Sequence, residues 1–171
     1  MNRIFAITIT ALLAAGLTSS AQRGDRNGQK QPEVWRTMDV PRAPTLTPAQ
    51  ALKSFKLAPE FRIEIVAADP LIHDPVAMTF DADGRMWVVE MRAFMPNVDG
   101  KGEDARTGRV GVLEDTNGDG RMDKRTDFLT GLQMPRAISL VKGGVLVAEP
   151  PMLWFCEDTD GNLKADKKTA V

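Results

Sequence analysis

Apolar residues change their period four times along the chain, and each change predicts an element. The run Ile4–Leu17 is continuously apolar, follows Arg3, and gives way to the small polar stretch Thr18-Ser19-Ser20-Ala21. A positive start, an apolar stretch too short to span a bilayer and small residues at Ser19 and Ala21 predict a secretory signal, residues 1–21. Residues 22–44 show no period and are rich in Gly, Pro and charge, which predicts a flexible linker. The Arg-Gly-Asp at 23–25 is a three-residue match in such a segment and carries no argument. At Thr47-Pro48-Ala49-Gln50 the pattern turns helical: Thr47 caps, Pro48 suits the first position, Gln50 reaches back, and Ala49, Leu52 and Phe55 share one face. A short helix packing on, or plugging, the following domain is expected. From Phe61 the period becomes two. Phe61, Ile63 and Ile65 alternate with Arg62 and Glu64, predicting a half-buried strand; Pro75–Phe80 predicts a second. Asp81–Gly84 reads as a turn, and Arg85–Met91, nearly continuous in apolar residues, as a strand buried on both faces.

The pattern then repeats. Pro75 and Gly84 are matched by Pro135 and Gly144 at the same nine-residue spacing, each followed by an apolar strand ending near an acid, Glu90 or Glu149. Without a gap, residues 114–126 (EDTNGDGRMDKRT) lie over 157–169 (EDTDGNLKADKKT), with seven of thirteen positions identical. The first copy is longer, because Asp115 follows Pro75 by 40 residues whereas Asp158 follows Pro135 by 23; residues 93–108, with Pro96, Gly100, Gly102 and Gly108, hold the insertion as a loop. A unit of about 43 residues with four short strands is the size of one β-propeller blade. The expected fold is therefore mainly β: a partial propeller of two four-stranded blades over residues 45–171, preceded by one short helix. Two blades do not close a ring, since roughly four to eight are needed. The expectation is an N-terminal piece of a longer protein; the alternative is a complete small sandwich that arose by duplication.

Composition narrows the function classes. With 171 residues and 43% hydrophobic and 26% charged positions, the chain is ordinary globular material for one domain. Its net charge of −1 offers no basic field for a phosphate backbone, so no nucleic-acid partner is expected. One Cys and one His cannot build a disulfide, a zinc cluster or a covalent haem site.

The remaining chemistry sits in the two acidic stretches. Asp115-x-Asn117-x-Asp119-Gly120-Arg121-x-Asp123 places oxygens at positions 1, 3 and 5 of a calcium loop, Gly at 6, the Arg121 carbonyl at 7 and a carboxylate at 9. Thr126 stands where an EF-hand carries its bidentate Glu, and strand-like residues replace the flanking helices. Asp158, Asp160, Asn162 and Asp166 repeat the set, with Leu163 forced into the turn conformation that Gly120 takes easily. Calcium is the expected ion, magnesium preferring fewer protein ligands; a solvated Asp/Gly hairpin without an ion is the other reading. His73, in a turn before a strand, is expected to be structural or exposed; Cys156 a buried free thiol; Trp87, Trp154 and the nine Met mainly core. Glu90, Arg92 and Glu149 at strand ends are places to look for pocket groups.

Residues 59–91 together with 108–169, including the two acidic loops and the LVAEPP strand at 146–151, resemble the PVC-type haem-binding-domain proteins described as membrane-bound dehydrogenases. Their N-terminal propeller is similar to the soluble glucose/sorbosone dehydrogenases. The resemblance, running over about Leu46–Val171, implies an exported, periplasmic or cell-surface, sugar- or alcohol-oxidising protein. It implies a pyrroloquinoline quinone (PQQ) site in the propeller and a cytochrome domain with haem c on CxxCH. Here only the loop positions carry over: no catalytic residue does, and one Cys cannot form CxxCH. The expected function is the N-terminal part of a dehydrogenase-like propeller that is not active alone, its partners the remaining blades, a cytochrome domain and a carbohydrate substrate. Enzymatic status stays open, the alternative being a non-catalytic, calcium-stabilised propeller module that binds carbohydrate or protein.

Overall fold

A computed structural model describes residues 43–97 and 99–171; the signal, residues 1–21, and residues 22–42 of the linker lie outside the described residues. Helix α1 spans Pro48–Ser54 and starts as its sequence requires. The Gln50 backbone N–H donates to Thr47 Oγ1 (3.3 Å), the Thr47 N–H donates to Gln50 Oε1 (2.9 Å), and Pro48 occupies the first turn, where it forfeits no hydrogen bond. The helix buries none of its residues, so the expected plug is not seen. Instead Leu52 and Phe55 line an open apolar cleft of about 720 Å³, shared with Ile63, Ile65, Met78 and Val88.

Eight strands follow: β1 Pro75–Phe80, β2 Met86–Glu90, β3 Gly108–Glu114, β4 Lys124–Leu132, β5 Ala137–Val141, β6 Gly144–Glu149, β7 Met152–Glu157 and β8 Lys167–Ala170. They form two four-stranded sheets, β1-β2-β3-β4 and β5-β6-β7-β8, each antiparallel throughout and ordered as in the chain. The 17-residue connection between β2 and β3 is the predicted insertion, where the second sheet turns on Pro150-Pro151 alone. One predicted strand is absent. Phe61–Ile65 alternates in burial but joins no ladder; nearby, the Val66 carbonyl accepts from the Met122 N–H at 2.8 Å. Alternation reports which side chains face apolar surface, and a strand also needs a neighbouring edge to bond.

Register fixes which residues are counterparts. Met78 opposes Val88 and Phe80 opposes Met86, as Ile138 opposes Val147 and Leu140 opposes Val145; Met86 then opposes Leu113, as Val145 opposes Cys156. This corrects one pairing made on spacing alone. The counterpart of Gly84 (φ +80°) is Gly143 (φ +86°), the glycine that turns the chain. Gly144 already belongs to β6, where a Cβ would lie 2.5 Å from the Cys156 carbonyl oxygen.

The sheets pack face to face over one core. Trp87, Val89, Val110, Val112 and Phe128 of the first sheet meet Val145, Val147 and Cys156 of the second. Trp87 and Phe128 meet edge to face at 4.9 Å between ring centroids. Cys156 is a buried free thiol, as expected, and burial pushes its pKa up. The methionines divide: Met86 and Met91 are buried, whereas Met78, Met95 and Met152 are exposed. All five residues of β2 are buried, because Met86 and Val88 on its other face pack with Ala67, Leu71 and Ile72.

Candidate metal centre

Both acidic loops join a third strand to a fourth, β3 to β4 and β7 to β8, and the hydrogen bonds from their backbone N–H groups to side chains match one for one. Asp115 Oδ1 accepts from the Gly118 N–H (2.7 Å) and Oδ2 from the Gly120 N–H (2.8 Å); Asp158 does the same with Gly161 and Leu163, both at 2.8 Å. Asn117 accepts from the Asp119 N–H and Asp160 from the Asn162 N–H. Asp119 accepts from the Arg121 N–H and Asn162 from the Lys164 N–H. At the loop exits Thr116 Oγ1 donates to Asp123 (2.8 Å) and Thr159 Oγ1 to Asp166 (2.7 Å). An ion pair closes each neck, Lys124–Glu114 at 2.8 Å and Lys167–Glu157 at 2.6 Å. Leu163 takes φ +62°, as its position demands, and packs its side chain against the shared core, which offsets the backbone strain.

Backbone N–H groups act alike on the leading carboxylate of each loop. The Gly120 N–H, with those of Gly118 and Asp119, holds the Asp115 carboxyl below its usual range against some desolvation. Burial works against Asp158, yet the N–H groups of Leu163, Gly161 and Asn162 outweigh it and its pKa is lowered as well. In the second loop, one carboxylate oxygen each from Asp158, Asp160 and Asp166 lie within 4.8 Å of one another, the one such triad of carboxylate, imidazole or thiol groups among the described residues. Asp115, Asp119 and Asp123 do not form one. The reason is residue type: the first-loop counterpart of Asp160 is Asn117, an amide in the central place. Each loop still offers three carboxylates and one amide. An all-oxygen set of that charge fits a hard divalent cation.

Glu90 and Glu149, singled out in the sequence as strand-end acids, form a second polar feature whose partners the sequence did not show. At the end of β2, Glu90 is fully buried and accepts from the His73 N–H (3.0 Å), from Arg125 Nη1 (2.7 Å) and from Arg109 Nε. At the end of β6, Glu149 accepts from the Gln133 N–H (2.6 Å), from Arg106 Nη2 (2.8 Å) and from Trp154 Nε1 (2.7 Å), with Lys168 Nζ at 3.4 Å. Each glutamate thus secures the turn leading into the first strand of its sheet, where Asp74 (φ +47°) and Met134 (φ +53°) are counterparts. The cation from the fourth strand is Arg125 in one sheet and Lys168 in the other. Its neighbour on the third strand changes with it: the Arg125 guanidinium lies so close over Gly111 that a Cβ there would be 2.6 Å away, whereas Lys168 sits 4.0 Å above the Trp154 ring. Such placement makes Glu90 and Glu149 structural groups. Burial alone would raise both carboxyls, but the hydrogen bonds and cations prevail and hold them below the usual range.

A pH dependence follows with a definite sign. Groups whose pKa is depressed on folding contribute stability that is complete above the unfolded value, about 4.3, and is lost as pH falls through the folded one. Thermal midpoints are therefore expected to stay level from about pH 8 to 6 and to fall steadily below about pH 5, in differential scanning fluorimetry at constant ionic strength.

His73 is structural in the sense expected: its Nδ1 lies 2.7 Å from Asp69 Oδ1 and its backbone serves Glu90. Arg92 is exposed. Among the described residues no helix is long and apolar enough to cross a membrane. The family described as Domain of unknown function (DUF7133) matches residues 47–171. No curated protein and no solved structure matches the chain.

Proposed function

We propose, from the premise that this chain belongs to the DUF7133 family, that its two sheets are consecutive blades of a β-propeller stapled by calcium in both acidic loops. The observation that carries the reading is the one-for-one hydrogen-bond match between the loops, down to the neck ion pairs. A decorative acidic hairpin has no reason to repeat such a pattern 43 residues later. Support for blades over a closed sandwich comes from the outer faces. A two-layer sandwich turns polar residues outward, whereas here Met78 and Phe80 of β1 and Leu153 of β7 are apolar and exposed. Calcium would be held by Asp115, Asn117, Asp119, the Arg121 carbonyl and Asp123 in the first loop, and by Asp158, Asp160, Asn162 and Asp166 in the second. When bound, it neutralises carboxylates that otherwise repel one another.

The module belongs, on this reading, to an exported sugar- or alcohol-dehydrogenase-like protein. The described residues hold the edges of the blades in place, and hydride transfer to a quinone falls to groups outside them. Neither PQQ nor haem c finds a fit here: no residue carries over for the quinone, and the single Cys156 is buried and cannot make CxxCH.

Thermal melts test the calcium reading. The midpoint is expected to rise by several degrees in millimolar calcium over chelator, and by less in equal magnesium, since an ion bound only by the folded state stabilises it by mass action. An unchanged midpoint across that range would overturn it.

A further inference from the structure

The amide at the centre of the first loop stands beside the backbone that can convert it. Asn117 is followed by Gly118, and the side-chain carbonyl carbon of an asparagine lies within ring-closing reach of the next backbone nitrogen. Glycine leaves that approach open, having no Cβ. The groups that such a closure needs are already in place. The Gly118 N–H donates to Asp115 Oδ1 at 2.7 Å, so a carboxylate stands where the proton of the attacking nitrogen must go. The Asp119 N–H donates to Asn117 Oδ1 at 2.9 Å, and to Asp115 Oδ1 at 3.3 Å. A donor therefore points at the oxygen on which negative charge develops. Asn117 and Gly118 are exposed, so water reaches both. The second loop shows that an acid fits this place. Asp160 accepts from the Asn162 N–H at 3.2 Å while the Gly161 N–H donates to Asp158 at 2.8 Å, the same arrangement with a carboxylate in the amide's position.

We infer that Asn117 is a site of self-modification, deamidated by its own loop with Asp115 as the base. The Gly118 nitrogen forms a bond to Asn117 Cγ and passes its proton to Asp115. The bond from Cγ to Nδ2 then breaks, and Nδ2 leaves as ammonia, taking that proton back. The cyclic imide left behind is opened by water, whose hydroxyl goes to a carbonyl carbon and whose proton returns to the Gly118 nitrogen. Opening at Cγ gives aspartate at position 117; opening at the backbone carbonyl gives isoaspartate. No oxidant, metal or partner is consumed. Either product carries one more negative charge than the amide. The aspartate gives the first loop the central carboxylate that its counterpart Asp160 supplies in the triad with Asp158 and Asp166.

The inference rests on the loop's hydrogen bonds and not on calcium, so the test is run in chelator and its failure leaves the calcium melts untouched. The sequence supplies its own reference, because the same dipeptide recurs at Asn27-Gly28, outside the described residues. The chain is held at near-neutral pH for days, and peptide mapping by mass spectrometry follows the replacement of amide by acid at both sites. In the folded chain Asn117 is expected to convert at least roughly tenfold faster than Asn27, since a positioned base and a positioned donor act on it alone. Asp115→Asn keeps an oxygen for the Gly118 N–H but supplies no base, and is expected to bring Asn117 down to the rate of Asn27 or below. Circular dichroism verifies that this variant folds. Independently of any variant, wild-type chain unfolded in urea is expected to convert the two sites at similar rates, because Asp115 and the Asp119 N–H are no longer held in place. Three outcomes overturn the inference: Asn117 converting no faster than Asn27 in the folded chain, a lead that survives in urea, or a lead that survives in folded Asp115→Asn.

Discussion

Glu90→Ala is expected to lower the free energy of unfolding by about 3–5 kcal/mol, the range for removing one partner of a buried ion pair. The carboxylate is fully buried, and the side chains of Arg109 and Arg125 that depend on it are only 17% and 12% exposed. Water cannot take its place at either guanidinium, and the His73 N–H loses its acceptor as well. Asp127 keeps contact with both arginines, at 3.2 and 2.7 Å, which limits the loss. Glu149→Ala is expected to cost less, because Arg106 is 56% exposed and can turn to solvent. Urea unfolding followed by tryptophan fluorescence measures both. Equal, small effects for the pair would show that Glu90 is dispensable to the turn it serves.

The second large effect is expected at Asp158. Its carboxylate is the hub of the loop, accepting from the Gly161, Asn162 and Leu163 N–H groups, and Leu163 needs it to hold a left-handed backbone. In chelator, Asp158→Ala should cost about 1–2 kcal/mol, comparable to losing a helix cap. With calcium at a hundred times its dissociation constant, the wild type gains about 2.7 kcal/mol per site, which the variant forgoes at this loop. The gap between wild type and variant must therefore widen when calcium replaces chelator. If urea midpoints show the same gap in both buffers, the hub stands and the second loop binds no calcium.

What could be read in advance shares a short range. The capping box at Thr47–Gln50, the turn at Asp81–Gly84 and the Asp-led loops each close their hydrogen bonds within a few residues, so residue type at fixed spacing is enough. Two loops of one shape were legible because the same residues recur. Leu163 was legible too, since any residue aligned with Gly120 must take a positive φ. The convergence of Asp158, Asp160 and Asp166 was not, because it depends on where three side chains point after the loop has closed.

The linear pattern determined, by itself, a helix start, a β-rich repeat, its insertion and the two acidic loops. Tertiary structure alone decided that Phe61–Ile65 finds no strand to bond, that α1 borders a cleft instead of filling it, and that the acids ending β2 and β6 are structural. It also decided which apolar faces are covered. The physical reason is distance along the chain. Glu90 meets Arg109 and Arg125 across 19 and 35 residues, and Glu149 meets Arg106 across 43. A desolvated carboxylate is stable only where its cations arrive, and no local period records that arrival.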